Sequence, residues 1–162
     1  SGEATVRKNK SGIVVKGLHD LAVRFSRCCN PVPGDEIVGF VTRGRGVSIH
    51  RTDCINVINL PEDERGRLID AEWQVAENST STEQYSTEIQ IFANNRIGLF
   101  ADISKVFTEK QIDITSMNVR TSKQGRATII MTFDIHGTEE LNRITDKIRQ
   151  IDGVLDIQRT TG

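Results

Sequence analysis

Cysteine and histidine side chains in the first third of the sequence are of the types that bind metals or act as nucleophiles. Cys28 and Cys29 are adjacent in the stretch CCNPVPGD, and His50 and Cys54 belong to the stretch HRTDC. Four Cys and His ligands in a tetrahedron would bind zinc. Neighbouring side chains on an extended backbone point to opposite sides, however, which argues against Cys28 and Cys29 sharing one ion. The sequence therefore predicts no bound metal, with a zinc site formed by these four residues as the alternative.

A catalytic cysteine is a further alternative at the same residues. Cys28 or Cys29 would be the nucleophile and His50 the base. The sequence supplies no recognisable third group to orient the histidine and no oxyanion motif. We therefore predict that this chain has no catalytic residue and no bound cofactor.

Arginines near the same turns favour contact with RNA. Arginine offers forked donors to phosphate and stacks on bases, and the glycines of RGRG let the backbone approach a phosphate closely. Residues 1–51 hold nine Lys or Arg against four Asp or Glu, although the whole chain has a net charge of −1. The candidate basic contacts are Arg27, Arg43, Arg45, His50 and Arg51.

Composition places the chain among water-soluble globular proteins. Charged residues make up 27% of the 162 residues, and no apolar run approaches the ~20 residues that span a bilayer. Three cysteines, two of them adjacent, do not suggest a disulfide framework. We therefore expect a cytoplasmic protein without membrane contact.

The polar stretch AENSTSTEQ separates two different hydrophobic patterns and is predicted to be a linker. The pattern before it predicts a small, mostly β module with one short helix, CINVINL, which Thr52 or Asp53 would cap. The predicted organisation is a tail at 1–12, the first module at 13–75, the linker at 76–84 and a second module at 85–162.

The second module has the order βαββαβ, which predicts an α+β, ferredoxin-like fold with two helices on one face of an antiparallel sheet. Gly125 can adopt the positive φ of a tight hairpin, and Thr138 is the expected N-cap of the second helix. The inward face changes from even to odd positions along the second strand, which predicts a bulge near Thr115 or Ser116.

The strings CCNPVPGD and HRTDC, followed by a βαββαβ module, resemble the C-terminal regulatory region of the RelA/SpoT family of (p)ppGpp synthetase/hydrolase enzymes. The first module is similar to that family's domain variously called zinc-finger-like, conserved-cysteine or ribosome-intersubunit, and the second is similar to its ACT domain. The positions that fall on the family motif are Cys28, Cys29, His50, Arg51, Asp53 and Cys54.

The resemblance implies control of the stringent response by a fragment that is not itself an enzyme. The parent protein would be a GTP diphosphokinase, a (p)ppGpp 3'-diphosphatase, or both. In such proteins this region docks on a ribosome that holds an uncharged tRNA in its A site. The expected contacts with ribosomal RNA are Arg27, Cys28, Cys29, Arg43, Arg45, His50 and Arg51.

The resemblance to ACT domains also implies a ligand site and a homodimer. ACT domains commonly bind amino acids where the loop after the first strand faces a second copy, and a branched-chain amino acid is favoured here. The predicted ligand-binding residues are Asn94, Asn95, Arg96, Ile97, Gly98, Leu99, Met117 and Asn118. The alternative is a purely structural module for dimerisation and autoinhibition, with neither RNA nor ligand. The free face expected for pairing holds Ser86, Glu88, Gln90, Thr128, Ile130 and Thr132.

Overall fold

The computed structural model describes residues 12–15, 22–44, 46–74 and 83–161. The described residues up to 74 belong to one compact unit, and residues 83–160 belong to a second. Most of the predicted tail, most of the predicted linker and Arg45 lie outside the described residues. None of the described helices has the length and apolarity needed to cross a bilayer.

The first unit is built on one mixed sheet. Its described strands lie in the order β1-β5-β3-β4-β2; β2 runs parallel to β4, and the other neighbouring strands are antiparallel. A short helix α1 and one 3-10 turn connect β4 to β5. The elements are β1 (Ile13–Val15), β2 (Ala22–Phe25), β3 (Ile37–Val41), β4 (Gly46–Arg51), α1 (Ile55–Ile58), the 3-10 turn (Arg65–Arg67) and β5 (Leu68–Trp73).

The two faces of strand β4 pack into different clusters. Val47 and Ile49 belong to a buried cluster with Ile13 and Ala71, because alternate side chains of a strand point to the same side. His50, at an even position, points its ring at the cysteines, which form a second cluster with Val57. The cysteine residues are therefore held by the sheet's second face.

The second unit has the predicted ferredoxin-like fold. Four antiparallel strands lie in the order β7-β8-β6-β9, and two helices connect β6 to β7 and β8 to β9. The elements are β6 (Tyr85–Asn94), α2 (Leu99–Glu109), β7 (Ile114–Thr121), β8 (Arg126–Ile135), α3 (Thr138–Arg149) and β9 (Val154–Arg159). The α+β fold class predicted from the sequence is confirmed.

The core of the second unit lies on one face of this sheet. The odd-numbered residues of β6 from Thr87 onward and those of β8, such as Ile89 and Phe133, are buried. The rings of Phe107 and Phe133 meet edge to face, with their centroids 4.8 Å apart. Helix α3 buries Ile144 and Ile148 at helical spacing. The even-numbered residues of β6 and β8 are not buried, as expected for the free face.

Strand β7 contains the expected bulge. Its pairing with β8 shifts register between Ile114 and Ser116, and the Thr115 hydroxyl donates a hydrogen bond of 3.0 Å to the Thr132 carbonyl. Every residue of β7 after Ile114 is exposed. The bulge was predictable because a one-residue insertion exchanges the two faces of a strand.

Two predicted helix caps are wrong. Gly137 is the N-cap of α3 and Thr138 is its first residue, while Cys54 is the N-cap of α1; neither helix has a side-chain cap. Cys54 is the N-cap in place of Asp53. The Cys54 side chain is buried, and the Asp53 carboxylate accepts a hydrogen bond from Arg51 instead of capping the helix.

Candidate functional site

The four candidate metal ligands of the first unit converge on one point. The thiol sulfurs of Cys28, Cys29 and Cys54 and a ring nitrogen of His50 all lie within 4.8 Å of one another. The Cys28 sulfur lies 3.9 Å from the Cys29 sulfur, 3.6 Å from the Cys54 sulfur and 3.4 Å from His50 Nδ1. The three cysteines are free thiols. The expectation that Cys28 and Cys29 point to opposite sides is therefore wrong.

The adjacent cysteines share this site because their backbone is a turn and not a strand. Residues 27–29 form a turn immediately after β2, and Asn30 takes a φ of 47°. The Asn30 amide donates a hydrogen bond of 2.9 Å to the Ser26 carbonyl, which closes the turn. In this conformation both thiols point toward the end of β4.

The donor set fits a tetrahedral zinc ion. Zn–S bonds of about 2.3 Å require neighbouring sulfurs to lie about 3.8 Å apart. The observed separations of 3.6 and 3.9 Å bracket this value. Cys28, Cys29, His50 and Cys54 could therefore close around one ion with little movement, and three thiolates with one imidazole suit zinc.

Burial sets the protonation of the cluster. Desolvation raises the pKa of the Cys29 thiol and the pKa of the Cys54 thiol, and it lowers the pKa of His50. A catalytic cysteine needs the opposite shift, toward thiolate. A neutral imidazole, in contrast, is the form that binds a metal, and a cation would offset the cost of ionising the thiols.

Two serines that the sequence analysis did not identify complete the surroundings of His50. The Nε2 atom of His50 lies 2.9 Å from Ser26 Oγ and 3.1 Å from Ser48 Oγ. Ser48 was recognisable in principle, because it precedes His50 by two positions and so shares its face of β4. Ser26 carried no such local signal.

Two predicted RNA contacts lie in the interior. Cys29 is 1% exposed and Arg51 is 7% exposed. The Arg51 guanidinium donates hydrogen bonds to the Cys29 carbonyl and to the Asp53 carboxylate. The Arg51 backbone amide donates a hydrogen bond of 3.3 Å to the Cys29 sulfur. The prediction that RNA contacts Cys29 and Arg51 directly is therefore corrected, because both residues are buried. They stabilise the cysteine cluster instead. Cys28 and His50 also point into this cluster.

Arg27 and Arg43, the other described arginines of the predicted RNA surface, lie apart. Arg27 is exposed in the cysteine turn, whereas Arg43 belongs to the β3–β4 hairpin and has a side chain that is 85% exposed. His50 follows Gly46 by four positions along β4, which is about 13 Å. The hairpin and the cysteine turn are therefore at opposite ends of β4, and not around the same turn as expected.

The predicted ligand loop of the second unit has one fully exposed apolar residue, Ile97. The Arg96 side chain is occupied by contacts within the unit. Its guanidinium donates a hydrogen bond of 2.8 Å to the Asp152 carbonyl and one of 2.7 Å to the Asp102 carboxylate. Leu99 is buried, so its expected role at the pocket edge is corrected to one in the core. Of the remaining predicted loop residues, Asn94 and Asn95 are exposed, as is Gly98, the N-cap of α2.

Met117 and Asn118 do not lie beside this loop within one chain. Met117 pairs with Met131, which pairs with Ile89, five positions before Asn94. That separation along the strands is about 17 Å. The predicted set of ligand residues could meet only if a second copy supplied Met117 and Asn118.

Comparison with known proteins assigns both units to families. A family model for the RelA/SpoT RIS domain matches residues 13–74, and one for the ACT domain matches residues 81–159. The chain belongs to the RelA/SpoT family. This confirms the resemblance inferred from the cysteine motifs and the βαββαβ pattern.

Relatives of this RIS–ACT chain include enzymes named GTP pyrophosphokinase. That of Streptomyces coelicolor is 39% identical over 150 residues, which cover 93% of this chain and 17% of that protein. That of Escherichia coli K12 is 36% identical over 156 residues, covering 96% of this chain and 20% of that protein. The chain thus spans about a fifth of the length of the curated relatives it matches.

A solved ACT domain from the GTP pyrophosphokinase of Chlorobium tepidum matches 48% of this chain and 99% of its own length. The TM-score is 0.43 and the sequence identity is 22%.

Proposed function

We propose that this chain is the non-catalytic regulatory region of a cytoplasmic GTP pyrophosphokinase that acts in the stringent response. Its RIS domain binds ribosomal RNA on a ribosome with uncharged tRNA, and its ACT domain dimerises and binds an amino acid. The proposal of a GTP pyrophosphokinase rests on the names of the relatives. The observation that supports RNA binding is the position of Arg27, exposed on the turn whose two cysteines enter the Cys–His cluster.

A pair of substitutions tests the RNA contact. Arg27→Ala with Arg43→Ala removes two exposed positive charges without touching the cluster. Affinity for ribosomes, measured by co-sedimentation over a range of KCl concentrations, should fall. The slope of log affinity against log salt should decrease by about 2, or about one per lost phosphate contact.

The matched control removes two exposed charges from the ACT domain, Arg143→Ala with Lys147→Ala on α3. This variant should bind ribosomes like the unmodified chain. Equal affinity and equal salt slope in all three proteins would reject RNA binding through the RIS domain.

The surface that supports dimerisation is strand β7 at the edge of the ACT sheet. Met117 and Val119 are 37% and 38% exposed although they lie on the face that the helices cover elsewhere. Within the described residues β7 pairs only with β8, so its outer backbone edge is open to a second copy.

Sedimentation velocity tests whether the edge or the free sheet face forms the dimer. Val119→Lys should convert a dimer into a monomer, because it places a charge in the paired edge. Thr132→Lys, on the opposite face of β8, should leave the dimer intact. A monomeric unmodified chain would reject the dimer, and dissociation by Thr132→Lys alone would move the interface to the sheet face.

Amino-acid binding is proposed at Asn94, Asn95 and Ile97, with Met117 and Asn118 supplied by the second copy. An asparagine amide can satisfy both a carboxylate and an ammonium group, and Ile97 offers apolar contact. Calorimetry with valine, isoleucine and leucine should show binding that Asn95→Ala abolishes and Asn142→Ala on α3 preserves. No heat and no change in melting temperature with any of the three would favour a purely structural module.

A second proposed function is structural: the RIS domain holds one zinc ion. It is favoured by the four donor atoms within 4.8 Å of one another. The proposed ligands are Cys28, Cys29, His50 and Cys54. Protein purified without chelator should contain about one zinc per chain, and Cys54→Ser should lose it. A zinc-free protein whose melting is unchanged by added zinc would reject this function.

A further inference from the structure

The ring of His50 has different surroundings at its two nitrogens. Nδ1 faces sulfur and lies 3.4 Å from the Cys28 thiol and 3.9 Å from the Cys29 thiol. Nε2 faces hydroxyl oxygen and lies 2.9 Å from Ser26 and 3.1 Å from Ser48. One edge of the ring is therefore aimed at the candidate metal position and the other at two serines.

The sheet brings both serines to the ring by different routes. Ser48 and His50 share a face of β4 because they are two positions apart. Ser26 follows β2, whose Phe25 pairs in parallel with Ile49, and the Ser26 amide donates 2.9 Å to the Ile49 carbonyl. Ser26 is thus fixed by backbone pairing beside the residue that precedes His50.

We propose that Ser26 and Ser48 are positioning residues that make His50 a metal ligand through Nδ1. In this arrangement the proton of the neutral imidazole is on Nε2, where the two hydroxyl oxygens accept it. The lone pair of Nδ1 is then directed at the three sulfurs. Outer hydrogen bonds of this kind fix the tautomer and the ring orientation of histidine ligands. The inference rests on the proposed zinc site and adds how its single nitrogen ligand is selected.

The surroundings strengthen these hydrogen bonds. Ser48 is 6% exposed, so water competes little with its hydroxyl for the Nε2 proton. A ring turned over would place Nδ1 at the hydroxyls and would direct Nε2 at the sulfurs. Two hydroxyls that converge on one nitrogen therefore hold one orientation of an otherwise nearly symmetric ring.

The experiment uses the full chain and zinc alone as the probe. Long-range ¹⁵N–¹H spectra report which ring nitrogen of His50 bears a proton, before and after zinc is added. Competition with a chromophoric chelator gives the zinc affinity of the unmodified chain, Ser26→Ala, Ser48→Ala and the double variant. Ser26→Thr keeps a hydroxyl at the same position, and Ser86→Ala on β6 is the control for removing an exposed serine.

The expected spectra show a proton on Nε2 in the metal-free chain and coordination of zinc through Nδ1. The double variant should lose roughly 10- to 100-fold in zinc affinity and show a mixture of tautomers. Ser26→Thr and Ser86→Ala should bind zinc like the unmodified chain. A merely structural role for the serines would lower the melting temperature without changing the tautomer.

Two different failures are distinguishable. If the unmodified chain binds no zinc, the zinc site itself is rejected and the role of the serines falls with it. If zinc binds with unchanged affinity in the double variant, or binds through Nε2, the zinc site stands and the positioning role is overturned. A double variant that fails to fold leaves the tautomer of the unmodified chain and the two single variants as the deciding measurements.

Discussion

Arg51 shows how a residue type that suggests RNA binding can have a different role in the folded chain. Its guanidinium is buried between the Cys29 carbonyl and the Asp53 carboxylate, and its amide donates to the Cys29 sulfur. The backbone of β4 and the side chain at its last position thus both hold the cysteine turn. Burial decides the role, since a side chain with so little exposed surface has no face left for a partner.

Arg51→Ala should destabilise the RIS domain by about 1–3 kcal/mol, because it removes a buried hydrogen bond to the Cys29 carbonyl and the packing of the side chain. The single tryptophan, Trp73, lies in β5 and reports unfolding of this domain by fluorescence in urea. Arg43→Ala, at an exposed position, should change stability by no more than about 0.5 kcal/mol. Equal effects of the two substitutions would contradict this role for Arg51.

Tyr85, the single tyrosine of the chain, should ionise at an unusually high pH. Burial, with a hydrogen bond to the Glu83 carboxylate, raises the pKa of Tyr85 to about 12. Because the folded state retains the proton longer than the unfolded state, this contribution to stability is complete below pH 10 and is lost as the pH rises through 12. An absorbance titration at alkaline pH checks the value, with Glu83→Gln expected to lower it. A midpoint at the ordinary value for tyrosine would contradict the burial.

At the scale of elements, the turn between α3 and β9 depends on a glycine for two separate reasons. Gly153 has a φ of 99°, and a Cβ at this position would lie 3.0 Å from the Asn94 carbonyl oxygen. The backbone amide of Asn94 also donates a hydrogen bond of 2.7 Å to the Gly153 carbonyl, so the two backbones are in direct contact. This contact joins the ends of β6 and β9 beside the candidate ligand loop.

Gly153→Ala should therefore destabilise the ACT domain more than Gly125→Ala does. Gly125 has a φ of 75°, but an added Cβ there would meet no other atom within 4 Å, so alanine costs only the backbone strain of about 1–2 kcal/mol. At Gly153 the same strain is joined by displacement of the Asn94 backbone. Urea unfolding followed by NMR signals of β6 and β8 measures both variants. A smaller loss for Gly153→Ala would refute the close approach.

The sequence predicted the elements of the ACT domain better than their ends. Alternating and helical spacings identified β6, α2, β8 and α3 because these periodicities arise from local backbone geometry. The same spacing predicted the bulge in β7. The caps at Thr138 and Asp53 were wrong because capping depends on the dihedral angles of a single residue, which the surrounding turn decides.

At the scale of the whole molecule, the described residues contain separate hydrophobic cores. The RIS domain packs Ile13, Val47, Ile49 and Ala71 on one face of its sheet and the cysteine cluster on the other. The ACT domain has a larger core between its helices and its sheet. A small sheet with two thin clusters gains proportionally more from a bound ion than a complete two-layer domain does.

If the proposed zinc ion is bound, its removal should therefore destabilise the RIS domain and not the ACT domain. EDTA should lower the melting temperature reported by Trp73 fluorescence and leave the NMR signals of β6 and β8 unchanged at the same temperature. Adding zinc back should restore the first transition, whereas added magnesium should not. Equal loss of both signals in EDTA would show that the ion supports more than the RIS domain.

The sequence by itself determined the two-module plan, the βαββαβ order and the identity of the four residues that form the cluster. Those features depend on local spacing and on residue type. Only the tertiary structure decided that Cys28 and Cys29 point the same way, that Ser26 reaches His50 and that Arg51 is buried. The physical reason is that parallel pairing of β2 with β4 brings together residues more than twenty positions apart. In addition, the turn after β2 points the Cys28 and Cys29 side chains to the same side, whereas an extended backbone would point them to opposite sides.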